Sequence, residues 1–445
     1  MEQGYVHEAR REDRRTVRQE VSEAISPEGR AAAQRAVRRG RRAPSEHAVF
    51  LIPGFLGFER FSTFPYFADR VVAALRAGLE CASNEPVPVI PVPIPPTAPL
   101  RERQRQMIKT LCDRLHALEH DYGSRTVHLV GHSTGGVDAT LLTEEAPIGG
   151  GDWADIDPRA PALRRRIRSV VTIASPHQGA CLTRDPVARF LAARDLTGLP
   201  PLVKLLASFG LASMHDVELG DFLFSVKREA TKSARFLWRL LPRWALIDDL
   251  DPSRSPPKSR RLPGVVRRTF VTLAGTPRLD TCSIPPADHF FRELSLRAGG
   301  WLTGSAEEGQ HVKASLARLQ EALTGPRWDD LVIKSDAVEL PAELGADTND
   351  GVVNTARQLI DPDDRDELAG IVVGDHFDVV GYYDRYVFSL GKDGHEQASH
   401  VLSGFLHSGS GFRDTEFFEL YRRVAKVIVQ SYATAPAGAW AGVSR

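Results

Sequence analysis

An apolar run at residues 127–130 ends in the sequence Gly-His-Ser-Thr-Gly-Gly, residues 131–136. This pattern is typical of a strand that leaves a buried sheet, turns sharply at a serine and enters a helix. Gly131 and Gly135 stand two residues before and two residues after Ser133, where a side chain would collide with the turn. The pattern therefore predicts that Ser133 is a nucleophile at the tip of the turn. The alternative is a glycine-rich turn that carries an ordinary surface serine.

Strand and helix patterns alternate on both sides of this turn, from about residue 47 onward. Helices are predicted at 64–80, ending near Gly78, at 101–119 and directly after Ser133. Apolar or β-branched runs predict strands at 48–52, 87–94, 127–130, 169–174 and 270–275. Strands that alternate with helices in this way indicate an α/β fold with a mostly parallel central sheet and helices on both faces. The prolines within 87–94 place that strand at or near an edge of the sheet.

The bulk composition excludes several classes of function. The 445 residues carry a formal net charge of +0, so the whole molecule has no electrostatic attraction to nucleic acid or to membranes, and no nucleic-acid partner is expected. No apolar run is long enough to span a bilayer, and no secretory leader is visible. The four cysteines show no paired spacing and indicate reduced thiols in a cytoplasmic protein: Cys81, Cys112, Cys181 and Cys282. A secreted protein that has lost its leader would present the same sequence.

Several segments depart from the alternating pattern. The Arg-rich residues 1–45 predict a flexible basic arm, either a solvated tail or a segment that contacts anionic lipid or nucleic acid. Residues 182–262 are mostly helical and far longer than a normal crossover, which predicts a helical cap or lid over the site, or else an additional structural layer. A second insertion covers 284–345, with a helix around 312–324. The predicted core is then 46–181 and 263–435, followed by a flexible tail at 436–445.

A nucleophilic serine needs a general base, and that base needs an orienting carboxylate. In the arrangement that uses this kind of turn, the acid and then the histidine follow the serine along the chain. Asp350 lies in an Asn-Asp-Gly turn, with Asp347 as its nearest rival. His376 comes 26 residues later, after a predicted helix at 361–370 and a strand at 371–373. The order therefore predicts Ser133, Asp350 and His376 as a catalytic triad.

Other histidines and the oxyanion donors can be placed by the same logic. His177 follows a strand but precedes Asp350, whereas His395, His400 and His407 lie in a polar stretch that indicates surface loops. The backbone N–H of Thr134, directly after the serine, is one predicted oxyanion donor. The other is the N–H of Phe55, in the glycine-containing loop that follows the first strand.

These residues resemble the bacterial triacylglycerol lipases of the α/β-hydrolase superfamily. Four segments carry the resemblance: Leu-Ile-Pro-Gly-Phe-Leu-Gly-Phe at 51–58, Gly-His-Ser-Thr-Gly-Gly at 131–136, Asn-Asp-Gly-Val-Val-Asn-Thr at 349–355 and Asp-His-Phe-Asp-Val-Val-Gly at 375–381. A fifth, at 172–179, is similar to a segment that is structural in the family. The chain departs from the family pattern at Pro53, where the family has histidine, and at Phe58, where it has tryptophan.

The resemblance implies an α/β-hydrolase fold with a helical cap insertion and a serine hydrolase that cleaves carboxylic esters. The expected substrate is an ester or lipid-like small molecule or polymer, and no organic cofactor is required. It also implies a structural calcium beside the histidine loop, with Asp378 and Asp384 as ligands, or alternatively two solvated loop acids. Two other functions stay open. One is hydrolysis or transfer at another acyl bond, such as a polyester, phospholipid or amide, and the other is non-catalytic binding on a hydrolase fold. The sequence does not specify an oligomeric state.

Overall fold

The described part of the chain covers most of the predicted core. Residues 1–44 of the arm predicted at 1–45, most of the cap at 182–262, the start of the second insertion and the tail at 436–445 lie outside it. The computed structural model describes residues 45–54, 60–61, 64–95, 98–122, 126–180, 246, 249–251, 262–274, 310–336, 338, 340–341, 343–346, 348–364, 367–383, 385–390, 396–401 and 410–432.

A seven-stranded parallel sheet organises the described residues. The strands in chain order are β1 (His47–Ile52), β2 (Arg60–Phe61), β3 (Phe64–Pro65), β4 (Val89–Pro91), β5 (Thr126–His132), β6 (Ile167–Ile173), β7 (Val266–Leu273), β8 (Val332–Ile333), β9 (Leu368–Val373), β10 (Arg385–Leu390) and β11 (Glu396–Val401). The main sheet has the order β4-β1-β5-β6-β7-β9-β8, and each neighbouring pair is parallel. Strand β4, whose prolines predict an edge position, is indeed at one edge. Strands β2–β3 and β10–β11 form separate antiparallel pairs.

Helices connect most of these strands. They are α1 (Asp69–Ser83), α2 (Leu100–Tyr122), α3 (Thr134–Leu141), α4 (Trp153–Ile156), α5 (Ala160–Arg164), α6 (Gln310–Thr324), α7 (Trp328–Leu331) and α8 (Asp414–Gln430). Helix α6 agrees with the helix predicted around 312–324. Among the residues described, no helix combines the length and the apolar character that crossing a membrane would require.

Strand β1 shows why both faces of the sheet are covered. Its side chains alternate, so Val49 and Leu51 pack with α1 and α8 in one apolar cluster, whereas Phe50 and Ile52 pack with α2 in another. All four are fully buried. Each large aliphatic or aromatic side chain buried in this way contributes about 1.5–3 kcal/mol. The predicted α/β class, with helices on both faces of a mostly parallel sheet, is confirmed.

Helix α1 differs from its prediction at both ends. It begins at Asp69 rather than at residue 64, because residues 64–65 pair with β2 and the N–H of Ala68 is held by the carbonyl of Val380. It continues past Gly78 to Ser83, and Asn84 ends it in the left-handed conformation that asparagine tolerates. Gly78 is instead a packing position, since a Cβ there would lie 3.0 Å from the Cβ of Ala425 on α8.

The predicted helix at 361–370 is wrong. Residues 361–364 form a turn, and β9 already begins at Leu368. The carboxylate of Glu367 accepts the N–H groups of Ile360 and Asp361, at 2.5 and 2.6 Å, and thereby closes the turn against the start of the strand. The short helical turn of this segment lies earlier, at Thr355–Arg357.

Parallel strands bring their carboxyl ends to one edge of the sheet. At this edge, β1 runs into Pro53 and Gly54, and β5 runs into Ser133. Strand β9 runs into the loop that carries His376. The N–H of Ala274, directly after β7, is bound by the carbonyl of Asn349, which brings the Asn-Asp-Gly turn to the same edge.

Candidate active site

Ser133 is the turning point between β5 and α3. Its φ and ψ are 54° and −133°, so this non-glycine residue has a positive φ. Such a conformation costs about 1–3 kcal/mol and persists only where the surroundings impose it. The N–H of Ser133 is held by the carbonyl of Ile173 on the neighbouring strand, at 3.0 Å. The turn therefore has the strained geometry that the sequence predicts.

The neighbouring glycines are required by contact, as predicted. A Cβ on Gly131 would overlap the backbone of Gly135 and Gly136, and a Cβ on Gly135 would overlap the carbonyl of Ile52. These overlaps are with backbone atoms, which cannot move aside as a flexible side chain can. The first turn of α3 thus sits directly against the ends of β1 and β5.

Asp350 is presented by a tight turn. Gly351 has a φ of 92°, which favours glycine, and the bridge between Asn349 and Asn354 closes the turn. The Oδ1 atom of Asp350 accepts the N–H groups of Val352 and Val353, at 3.0 and 2.8 Å. These two bonds fix the carboxylate and leave Oδ2 directed towards other partners.

His376 is bound to Asp350 twice. Its Nδ1 lies 2.8 Å from Asp350 Oδ2, and its backbone N–H is bound by the Asp350 carbonyl at 2.9 Å. Both side chains are buried, with exposures of 2% and 0%. Because a carboxylate accepts hydrogen bonds, Nδ1 carries the proton and Nε2 keeps its lone pair. This is the orientation that a general base requires.

Two further residues hold the carboxylate, and the sequence analysis missed both. The hydroxyl of Thr272 on β7 donates to Asp350 Oδ2 at 2.6 Å. Gln358 Nε2 lies 3.4 Å from the same oxygen, while its Oε1 accepts the Thr272 N–H at 2.7 Å. A threonine in the otherwise apolar run that begins at Phe270, in the second half of β7, could have indicated a polar contact at this point. Nothing in the sequence distinguishes Gln358.

His132, the residue before Ser133, is a second site residue that the sequence analysis did not assign. Its Nε2 lies 2.8 Å from the backbone carbonyl of His376, and its Nδ1 lies 2.8 Å from the hydroxyl of Tyr66. Burial, and then the neighbouring charge of His376, lower the pKa of His132 well below its ordinary value. His132 is therefore a neutral structural link between the serine turn and the His376 loop.

Of the two predicted oxyanion donors, Thr134 lies within the described residues and Phe55 does not. Thr134 is buried at the start of α3, where its N–H has no partner within the helix. Phe55 lies outside the described residues, but Gly54 lies inside them and approaches the serine closely. A Cβ on Gly54 would be 2.5 Å from the Ser133 Cβ.

The histidine reaches the serine turn through the residue that precedes Ser133. The rings of His132 and His376 have centroids 4.7 Å apart. Within the described residues, Ser133 Oγ makes no hydrogen bond with the His376 ring. Such contacts are often long in ligand-free sites and tighten when substrate binds.

Of the rival residues, His177 is described, and it does not join this group. The ring of His177 contacts Thr172 Oγ1 at 3.2 Å rather than Asp350. Asp347, the rival acid, lies outside the described residues, as do His395, His407 and the side chain of His400.

The calcium implied by the resemblance remains a prediction. The carboxylate of Asp378 is buried and accepts the N–H of Asp375 at 2.8 Å, so it serves as a loop anchor. Asp384 lies outside the described residues. In the ranges that are described, no group of three or more histidine, cysteine, aspartate or glutamate residues could hold a metal ion. The described residues do not by themselves fit a calcium site, which takes six to eight oxygen ligands.

Comparisons with known proteins find similarity at the level of structure. No family model and no curated protein sequence matches the chain. Staphylococcus hyicus lipase is 14% identical, with 88% of this chain and 98% of that chain covered and a TM-score of 0.46. EstA from Clostridium botulinum is 16% identical, covering 90% and 91%, with a TM-score of 0.47. Lipase 1 from Pelosinus fermentans is also 16% identical, covering 86% and 99%, with a TM-score of 0.46.

The predicted α/β-hydrolase fold rests on the chain's own geometry. A parallel sheet, a strained serine between a central strand and a helix, and an acid and a histidine at the same sheet edge in the order Ser, Asp, His together define that arrangement. The helical cap that the sequence also predicts lies almost wholly outside the described residues.

Proposed function

We propose that the protein is a serine hydrolase that cleaves carboxylic esters through an acyl-enzyme on Ser133. The observation that carries the proposal is the buried hydrogen bond between His376 Nδ1 and Asp350 Oδ2, 2.8 Å long, beside the strained Ser133 turn. A serine hydroxyl is a weak nucleophile, and an oriented imidazole is the group that activates it. Burial of all three side chains keeps competing water away from these bonds.

The reaction follows from the direction of these hydrogen bonds. His376 Nε2 takes the Ser133 proton while Oγ attacks the ester carbonyl carbon, and the carboxylate of Asp350 stabilises the imidazolium. The N–H groups of Thr134 and Phe55 bind the oxyanion of the tetrahedral intermediate. The intermediate collapses as His376 returns the proton to the leaving alkoxide, which departs as an alcohol. Water, activated by the same histidine, then releases the carboxylic acid from Ser133.

The first test is covalent labelling. A fluorophosphonate probe reacts with an activated serine, so we expect it to label the wild-type chain and to leave Ser133→Ala unlabelled. Ser133→Ala should also lower kcat for a p-nitrophenyl ester by roughly 10⁴- to 10⁶-fold. Ser175→Ala is the matched control. Ser175 is another buried serine at a strand end, and within the described ranges its hydroxyl donates to the Ile173 carbonyl alone.

The outcomes separate the alternatives left by the sequence. If the folded wild-type chain is not labelled, or if Ser133→Ala keeps both label and turnover, the proposal is wrong, and a failure to label favours a non-catalytic binding protein. A labelled enzyme is then given esters of increasing acyl length, a phospholipid, an amide and a polyester film. Turnover of the amide alone, or transfer to an added alcohol in place of hydrolysis, would contradict ester hydrolysis as the function.

A further inference from the structure

The acid of the proposed triad follows one strand along the chain but lies at the end of another. The preceding strand, β8, is at the edge of the sheet and ends at Ile333, and β9 separates it from β7. Residues 348–358, which we call the acid segment, are nevertheless bound to the end of β7. There the N–H of Ala274 donates to the carbonyl of Asn349 at 2.8 Å. Contacts with β7 therefore determine where Asp350 lies.

Thr272, a fully buried residue of β7, binds the acid segment through its backbone and its side chain. Its N–H donates to Gln358 Oε1 at 2.7 Å, and its carbonyl accepts from Gln358 Nε2 at 3.1 Å. The same carbonyl accepts from the hydroxyl of Thr355 at 2.9 Å, and the Thr272 hydroxyl donates to Asp350 Oδ2 at 2.6 Å. Strand β6 pairs with β7 only as far as Phe270, so the Gln358 amide takes the place of a further β6 residue. The acid segment thus docks on the sheet at Thr272.

The backbone of Thr272 determines which way the Gln358 amide faces. Its oxygen faces the N–H of Thr272 and its nitrogen faces the carbonyl, so Nε2 is the end beside Asp350 Oδ2, at 3.4 Å. The Thr272 hydroxyl has one proton and two acceptors within reach, Asp350 Oδ2 at 2.6 Å and Gln358 Oε1 at 3.1 Å. It donates to the nearer, charged oxygen, because a hydrogen bond to a carboxylate is shorter and stronger than one to a neutral amide.

The two oxygens of Asp350 are held by different donors. Oδ1 accepts the N–H groups of Val352 and Val353, at 3.0 and 2.8 Å. These bonds hold Oδ1 in place but leave the carboxylate plane free to turn about that atom. The Thr272 hydroxyl removes this freedom and keeps Oδ2 at 2.8 Å from His376 Nδ1. The orientation of the base therefore depends on a hydroxyl that binds the acid rather than the base.

We infer that Thr272 is a positioning residue of the proposed triad, whose hydroxyl aligns the Asp350 carboxylate with His376 and so holds the base in its reactive tautomer. This inference rests on the proposed esterase function. It assigns an effect on the reaction rate to a residue within the sheet that acts through Asp350.

The first test removes the hydroxyl while the shape of the side chain is kept. Thr272→Val exchanges the hydroxyl for a methyl group and retains the β-branched form that suits a strand. The loss of one hydrogen bond to a charged group should lower kcat for a p-nitrophenyl ester by roughly 10- to 100-fold, with KM within about twofold of wild type. Thr272→Ser, which restores the hydroxyl, should recover kcat to within about threefold of wild type.

A double-mutant cycle tests whether Thr272 acts through the acid. Asp350→Asn already removes the oriented base, so in that background Thr272→Val should lower kcat by less than about threefold further. A general disturbance of the site would instead lower kcat by the same factor in both backgrounds.

Thr269→Val is the matched control. Thr269 is also a fully buried threonine of β7, and its hydroxyl also donates to a carboxylate, that of Glu367 at 3.0 Å. In the described part of the chain, Glu367 contacts neither the serine nor the base. The kcat of Thr269→Val should therefore stay within about threefold of wild type. Rates are divided by the number of sites titrated with fluorophosphonate, so unfolded protein does not contribute.

The outcomes are distinct for the two proposals. An inactive, unlabelled wild-type chain overturns the proposed function itself. With an active wild type, an unchanged kcat in Thr272→Val, or an equal loss in both backgrounds, overturns the role of Thr272 while esterase function stands. If Thr272→Val does not fold, Thr272→Ser and Thr272→Ala are compared, because they differ by the hydroxyl alone. Equal kcat values in these two variants overturn the role of Thr272 as well.

Discussion

Replacing Asp350 with asparagine exchanges one carboxylate oxygen for an NH2 group at almost constant size. The structure determines which oxygen is exchanged. At the Oδ1 position the NH2 would face two donors, the N–H groups of Val352 and Val353, which lie 3.0 and 2.8 Å away. Asparagine therefore keeps its oxygen at that position and places its NH2 where Oδ2 was.

At the Oδ2 position the NH2 meets Thr272 and His376. The Thr272 hydroxyl can turn to donate to Gln358 Oε1, 3.1 Å away, and accept from the new NH2. His376 Nδ1 can accept from the NH2 only in the tautomer that carries its proton on Nε2. In that tautomer the histidine cannot take a proton from Ser133, so the fold is kept and the base is lost.

The expected fall in kcat follows from the loss of the general base. A wrong histidine tautomer in a Ser-His-Asp triad lowers kcat by roughly 10⁴-fold, which corresponds to about 5.5 kcal/mol of activation free energy. The free energy of unfolding should fall by only about 1–3 kcal/mol, because the rearranged hydroxyl leaves few groups unpaired. Turnover of a p-nitrophenyl ester per titrated site and urea unfolding measure the two quantities separately.

Glu367→Gln is the matched control for this experiment. Glu367 is also a buried carboxylate that accepts two backbone N–H groups and a threonine hydroxyl, that of Thr269 at 3.0 Å, but it does not contact the serine or the histidine. Its variant should keep kcat within about threefold of wild type. The reasoning is refuted if Asp350→Asn, folded, retains kcat within tenfold of wild type. The same loss in Asp347→Asn instead would move the acid to Asp347.

Three further variants test other contacts. Gly54→Ala should lower kcat/KM by about 10²-fold in the p-nitrophenyl assay, because its Cβ would lie 2.5 Å from the Ser133 Cβ and must displace one of the two residues. Burial, and then the charges of His47 and Arg168, lower the pKa of His128 in the folded chain. As the pH falls through about 6.5, the His128 imidazole is therefore protonated only in the unfolded chain. The free energy of unfolding should therefore fall below that pH. In His128→Gln the fall between pH 6.5 and 5.0, measured by urea unfolding at each pH, should be smaller by ~2 kcal/mol. Gly78→Leu should lower the free energy of unfolding by about 1–3 kcal/mol, since it overpacks the contact with α8.

The central strands could be predicted because each carries its own apolar pattern. Strand β1 contains the continuous apolar run 48–52, as expected for a strand buried on both faces, and β5 ends in the serine turn. The boundaries of α1 could not be predicted, since they depend on contacts outside the helix. Ala68 is bonded to Val380, and Gly78 packs on α8. A glycine that permits close packing and a glycine that ends a helix look the same in a sequence.

Each reacting residue of the proposed site can be recognised from its neighbours in the sequence. The residues that hold Asp350 in place cannot. Ser133 and Asp350 each lie in a short turn whose geometry requires glycines, and His376 follows a strand. The supports Thr272 and Gln358 reach Asp350 from 78 and 8 residues away, through single side chains without a motif. Only the folded chain brings them together, so no spacing rule could have found them.

His132 illustrates the same distinction within the serine turn itself. In the Gly-x-Ser-x-Gly pattern the residue before the serine is unrestricted, because the turn requires small residues only at the glycines. Here that residue bonds to Tyr66 on one side and to the carbonyl of His376, 244 positions away in the chain, on the other. An apolar residue at this position would leave both partners buried without a hydrogen bond, at about 1–3 kcal/mol each. It would also break the path of hydrogen bonds from Tyr66 to the backbone of the base, so in this protein the unrestricted position of the motif joins Tyr66 to the His376 loop.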